Sequence, residues 1–175
     1  MDFNVDTGKP LLLTMAEIRA MRGQAVLGCS GLGSCIGVCA LDPEKNIGGM
    51  AHVALPQAPA GKPVEKAGRF ADTALTELIE QMSAMGASKE RIRVAFAGGA
   101  YVARPGAESP LFASISSRMV EVITKQIDDL GLSLVGKDTG GSLGRSIRFD
   151  IGTGVVKIET ASQGERQLCS LREAA

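Results

Sequence analysis

Two apolar runs flank the tetrapeptide Asp42-Pro43-Glu44-Lys45, and this arrangement limits the possible folds more than anything else in the chain. Asp at the first place and Pro at the second suit a type I turn. A loop of this length folds its flanks into an antiparallel hairpin. With the turn centred between Pro43 and Glu44, Leu41 is expected to face Asn46 and Cys35 to face His52. Directly opposed residues have Cβ atoms roughly 5 Å apart, so the spacing can set a thiol beside an imidazole. That is the geometry of a cysteine nucleophile and its base. The register is sensitive, because a one-residue slip or a bulge at Gly48-Gly49 turns His52 to the other face. On residue type alone a plainer reading fits equally well: Cys35 as a small buried apolar residue and His52 as a structural histidine.

The rest of the composition narrows the class. Lysine plus arginine and aspartate plus glutamate balance at 19 each, so no global field draws the chain to nucleic acid or to an anionic membrane. Aromatic residues are 3% of the chain and Trp is absent, which leaves little with which to stack bases. The core must be built from Ala, Val, Ile, Leu and Met. No run approaches the ~18 apolar residues of a membrane span, and the first residues do not resemble a signal peptide. A cytoplasmic protein with four reduced cysteines is expected rather than a disulfide framework. Cys29, Cys35 and Cys39 do not follow the paired spacing of zinc ligands. In an extended strand Cys35 and Cys39 would stand about 13 Å apart, so neither metal nor cofactor is expected.

Taken in order, residues 1–10 read as a flexible lead-in, 11–160 as one domain and 161–175 as a polar tail in which Cys169 is incidental. The segment around Met15–Gly23 fits either a short helix or an edge strand. A strand at Ala25–Leu27 enters the glycine turn GCSGLGS, which matches neither a dinucleotide fingerprint nor a P-loop. Such a turn either closes a tight bend or offers backbone N–H groups to an oxyanion. Residues 57–66 form a Pro/Gly/Lys loop after the histidine strand, placed to cover a site or merely to connect. Helical spacing runs from Phe70 to Met85 and again from Ile115 to Leu130, with Ser114 as N-cap and Gly86 and Gly131 as stops. Strands are expected at 91–96 and 132–135, and a hairpin at 147–149 and 155–158. The order implies an α/β domain (layered α+β), with a mixed, largely antiparallel sheet and flanking helices.

The succession GLGSCIGV, a DP turn, GGMAHVALP, FADTAL and DTGGSLGRSIRFDIGTGVVKI resembles the CheD family of chemoreceptor glutamine deamidases. The resemblance implies the cysteine-hydrolase fold shared with cytotoxic necrotizing factor-type deamidases. It also implies roles for individual residues. Cys35 corresponds to the nucleophile and His52 to its general base and acid, while Gly33 and Ser34 lie in the oxyanion loop. The family's histidine-orienting Thr falls on Cys29, a departure, since a thiol is a weaker hydrogen-bond partner than a hydroxyl; neighbouring Ser30 is an alternative. A second departure is at Ile115–Met119, where only Arg118 remains of an Arg-Asn pair.

By the same resemblance the expected activity is that of a protein-glutamine glutaminase. It would convert glutamine side chains on the cytoplasmic helices of chemoreceptors to glutamate and ammonia through a thioester, with methylesterase activity as a side reaction. A CheC-type phosphatase is implied as a partner, met near Phe70 or the loop at 101–112, although Phe70 also fits the core stripe of its helix. The two departures keep a rival in view: a weakly catalytic or non-catalytic adaptation module that binds receptor or phosphatase.

Overall fold

The computed structural model describes residues 9–102 and 110–173, with Phe112 described by its backbone alone. Most of the expected lead-in at 1–10 and of the loop at 101–112 lies outside these residues. In chain order the elements are β1 (Leu11–Leu12), β2 (Ile18–Arg22), β3 (Val26–Leu32), β4 (Ile36–Asp42), β5 (Ile47–Val53), α1 (Ala71–Ala84), β6 (Arg93–Gly98), α2 (Pro110–Asp129), β7 (Ser133–Thr139), β8 (Arg145–Asp150), β9 (Val155–Thr160) and β10 (Gly164–Ser170). The strands divide between two five-stranded sheets, ordered β1-β3-β8-β9-β10 and β2-β5-β4-β6-β7. Among the described strands only β1–β3 and β6–β7 pair in parallel. The expected α/β class with largely antiparallel pairing is the one the chain adopts.

Three layers result. Both helices cover one face of the β2-β5-β4-β6-β7 sheet, where Leu75, Leu78, Met82, Met119 and Ile123 meet Ile36, Val38, Ala51 and Phe96. The opposite face, with Cys39, Leu41 and Met50, packs on Leu27, Ile147, Phe149 and Val156 of the other sheet. Strands β4 and β5 are therefore buried along their whole length, which explains their unbroken apolar runs. Each large side chain buried here contributes about 1.5–3 kcal/mol. Gly37 marks the tightest inter-sheet contact, since a Cβ there would lie 2.6 Å from the Ile147 side chain.

Helix α1 follows the spacing read from the sequence, and Gly86 ends it with φ of 104°. Phe70 is buried at its start, in its role as a core residue. Helix α2 begins at Pro110, ahead of the expected cap at Ser114, because Pro lacks the N–H that a first helical turn cannot satisfy. The ambiguous segment before β3 is an edge strand, β2, paired with β5.

Two expectations are corrected. The polar tail at 161–175 contains β10, which pairs antiparallel with β9, and Leu171 is fully buried. Its polarity reflects an edge strand with one wet face rather than fraying. The hairpin register also differs. Leu41 pairs with Gly48 rather than Asn46 and Asp42 with Ile47, so the turn occupies Pro43–Asn46 and Gly37, not Cys35, stands opposite His52. Asn46 takes a left-handed φ of 53° that closes the shifted turn, a conformation to which Asn is suited.

Candidate active site

The register difference moves Cys35 by two positions relative to His52, and side chains alternate with period two, so both remain on one face. That face is the inter-sheet one, where Cys35 packs at the margin of the cluster containing Cys29, Cys39 and Met50. Cys35 and His52 are thus diagonal neighbours across β4 and β5, a relation that leaves Cβ atoms somewhat under about 7–8 Å apart. Cys35 is half-buried and His52 is 9% exposed. Burial pushes the Cys35 thiol above its ordinary range. At neutral pH the resting group is therefore a thiol, and a nucleophilic thiolate requires a base beside it.

His52 is oriented by backbone. Its Nδ1 lies 3.1 Å from the carbonyl oxygen of Leu13. A carbonyl can only accept, so Nδ1 carries the proton of the neutral ring and Nε2 keeps its lone pair. The same N-terminal segment holds the main chain of His52 on both sides. Ala16 N donates to His52 O at 2.9 Å, and His52 N donates to Glu17 O at 3.0 Å. Leu13 is itself fixed to the other sheet by its N–H, which donates to Gly28 O at 2.8 Å.

The glycine turn before Cys35 is held through its carbonyls. Gly99 N donates to Cys35 O at 2.9 Å and Ala100 N to Gly33 O at 2.8 Å. Gly98 is the close-approach position: its φ is 128°, and a Cβ there would fall 2.1 Å from the Cys35 carbonyl oxygen. Behind this contact stands the loop that follows β7. Gly140 N donates to Gly98 O at 3.1 Å and Tyr101 N to Gly141 O at 2.9 Å. Arg145, 6% exposed, closes that loop by binding Asp138 and the carbonyls of Gly140 and Leu143. From α2, the Ser116 hydroxyl donates to Ala100 O at 3.2 Å. Gly98-Gly99 is visible in the sequence as the end of a strand, but nothing there announces its contact with Cys35.

The remaining residues singled out from the sequence fall as follows. Gly33 and Ser34 sit in the half-buried turn immediately before Cys35. Cys29 is fully buried on β3, its Sγ within 3.5 Å of the Met50 Sδ as a weak donor, and burial together with the neighbouring Cys35 and Glu17 pushes its thiol up to about 12. Ser30 is exposed. Arg118 reaches from α2 to the Gln57 side-chain carbonyl at the start of the 57–66 loop. Cys169 lies against Gly136, half-buried, its thiol pushed up by burial to about 11. Among the described residues no three His, Cys, Asp or Glu side chains gather as a metal site, and no helix is long and apolar enough to cross a membrane.

Comparison with known proteins gives these features a family. The CheD family, described as CheD chemotactic sensory transduction, matches residues 54–160. A probable chemoreceptor glutamine deamidase CheD of Desulfitobacterium hafniense (strain DSM 10664 / DCB-2) is 41% identical over 156 residues, covering 87% of this chain and 94% of its own. The chemoreceptor glutamine deamidase CheD of Thermotoga maritima is 36% identical over 155 residues, covering 89% and 94%. That of Halalkalibacterium halodurans is 34% identical over 155 residues, covering 88% and 95%. The family match begins two residues after His52, but the matches to relatives cover so much of the chain that they span both Cys35 and His52. With more than half of the chain matched, and relatives aligned over nearly their full length, the chain belongs to the CheD family.

Proposed function

We propose that this chain is a cysteine-dependent chemoreceptor glutamine deamidase of the cytoplasm, acting on receptor glutamine side chains. The observation that carries the reading is the His52 ring, with Nδ1 committed to Leu13 O, on the sheet face that Cys35 shares by register. The relatives are named for this activity, and the Cys–His pair has the chemistry it needs.

In the first step the Cys35 Sγ–H proton passes to His52 Nε2, and the thiolate attacks the carboxamide carbon. The carbonyl π electrons move to oxygen. The N–H groups of Gly33, Ser34 and Cys35 are the donors that would hold that oxyanion, and each such donor supplies roughly 3–4 kcal/mol. The C–N bond then breaks as the imidazolium gives its proton to the departing nitrogen, leaving ammonia and a thioester. Water, deprotonated by His52, attacks the thioester; the C–S bond breaks, and Cys35 recovers its proton as glutamate is released. A receptor methyl ester would enter by the same thioester, with methanol leaving in place of ammonia. A CheC-type phosphatase as a second partner is part of the proposal.

The test incubates a receptor cytoplasmic fragment with wild type, Cys35→Ala and His52→Ala, and follows ammonia release with mass-spectrometric mapping of deamidated glutamines. Modification by wild type, with a loss of at least about a thousandfold in each variant, is the expected result. Equal modification by Cys35→Ala would end the cysteine mechanism. Failure of folded wild type on several receptors would favour the non-catalytic binding module.

A further inference from the structure

The position at which the family resemblance places the histidine-orienting side chain is Cys29, and Cys29 spends its one donor elsewhere. Its Sγ is 3.5 Å from Met50 Sδ, in a site with no exposed surface. The orienting bond on the His52 ring comes instead from Leu13, at 3.1 Å. We propose that the main-chain carbonyl of Leu13 is the positioning group for His52 in this chain, and that Cys29 has no part in setting the ring. The proposal rests on the reading of His52 as the base.

Three observations make the carbonyl a designed acceptor rather than a chance neighbour. The first is its anchorage at both ends. β1 pairs with β3 through Leu11 and Leu12, Leu13 N is bound by Gly28 O, and Ala16 and Glu17 then clasp the main chain of His52. The carbonyl therefore sits in a strap that bridges the two sheets, and it cannot drift without breaking bonds to both. The second is local geometry: Ala16 adopts φ of 67°, an unfavourable conformation for a residue with a Cβ. It turns the strap so that Leu13 faces the ring while Ala16 meets the His52 backbone. Thr14 N and Oγ1 both donate to the Glu17 carboxylate, at 2.9 and 3.1 Å, which locks this turn. The third is burial. Leu13 is 4% exposed, so water does not compete for its oxygen, and a carbonyl in such surroundings holds a hydrogen bond more strongly than one in solvent.

The chemical consequence is the same as that of an orienting side chain. The bond selects the tautomer with a bare Nε2 and stabilises the imidazolium once it forms, because Nδ1–H remains a donor in both states. A backbone acceptor does this without a titratable group and without a rotamer to fix. The side chain at position 29 is thereby free to be apolar, and the Cys29 thiol packs within a core of Leu27, Leu32 and Ile147.

The chain has one histidine, so ¹⁵N spectra of the imidazole report His52 without assignment. The direct variant replaces the Leu13–Thr14 amide by an ester on a synthetic segment 1–28 joined by ligation at Cys29. This weakens the acceptor and alters no side chain. Because the ester also removes Thr14 N–H, Glu17→Ala serves as the control for that bond. Wild type, Cys29→Ala and Glu17→Ala are expected to show the Nδ1-protonated tautomer. The ester variant should shift the population toward the Nε2-protonated tautomer and lower kcat about tenfold, with KM unchanged. An Nε2-protonated ring in wild type would overturn the proposal. So would a tautomer that responds to Cys29→Ala and not to the ester. A wild type protonated at Nδ1 but devoid of deamidase activity would count against the proposed function and leave the bond standing.

Discussion

The hairpin β4–β5 has two ends, and they are built from different materials. At the turn end the fastenings are charged side chains. The Asp42 carboxylate accepts from Glu44 N, Lys45 N, Ser88 N and both Arg91 Nε and Nη2, at 2.7 to 3.3 Å. Arg172, from the segment after β10, reaches the carbonyls of Pro43, Ile151 and Gly152 and the Asn46 side chain. At the open end, around Cys35 and His52, the bonds to His52 and to the Cys35 turn run through backbone: Leu13 O, Ala16 N and Glu17 O on one strand, Gly99 N and Ala100 N on the other. Among the described residues, charged side chains fasten the segments behind those bonds, Glu17 at Thr14 and Arg145 at Asp138. A site of the proposed kind, passing protons between a thiol and an imidazole, would be disturbed by a fixed charge nearby, which would shift both groups. Neutral backbone dipoles position without titrating, and the ion pairs that fix the hairpin are kept at its far end.

The contrast is broken most severely at Gly98. Gly98→Ala forces a methyl group into the Cys35 carbonyl and a residue with a Cβ into φ of 128°. It should cost about 2–3 kcal/mol of stability and, because the turn before Cys35 must move, reduce kcat about a hundredfold; thermal unfolding and steady-state kinetics read both. Asp42→Ala attacks the other end. It leaves the amides of Glu44, Lys45 and Ser88 without their acceptor and should cost about 2 kcal/mol while kcat in the folded protein stays near wild type. Together the two variants test whether one end serves chemistry and the other stability.

Acid sharpens the same point. Burial alone would raise the Asp42 carboxyl, but the Arg91, Ser88 and Lys45 hydrogen bonds outweigh it and hold the group down at about 2, against an ordinary 3.8. A carboxyl lowered by folding contributes stability that is present above its unfolded value and is lost as pH falls toward the folded one. About 2 kcal/mol should therefore disappear on going from just above 3.8 to about 2, and the gap in Tm between wild type and Asp42→Ala should close over that window. The smallest effect is expected at Cys29→Thr. A hydroxyl facing the Met50 sulfur lacks a good acceptor, so stability should fall by about 1 kcal/mol, with the His52 tautomer unchanged.

The contrast also explains what the sequence disclosed. The hairpin, the helix at 71–84 and the strands around it follow from apolar period and turn residues, which are properties of side chains. That Cys35 and His52 share a face was legible for the same reason, and it survived a misplaced turn because a shift of two keeps both residues on that face. The bond between Leu13 O and the His52 ring was not legible, because every residue carries a carbonyl and its placement depends on how two sheets meet. Gly98-Gly99 gave a partial sign, since paired glycines end a strand wherever a chain bends, but their partner at Cys35 is remote in sequence. The last strand was missed because an edge strand needs few apolar residues, and Gly164–Gln167 is exposed throughout.

The account stands most directly on a covalent bond at Cys35. Wild type mixed with a receptor cytoplasmic fragment, quenched in acid within the first turnover, should yield a crosslinked species whose linkage maps to Cys35 Sγ and is cleaved by hydroxylamine. Cys35→Ala should yield none, and His52→Ala only a trace. Turnover by wild type that passes through no Cys35 adduct, or that persists undiminished in Cys35→Ala, would contradict the account.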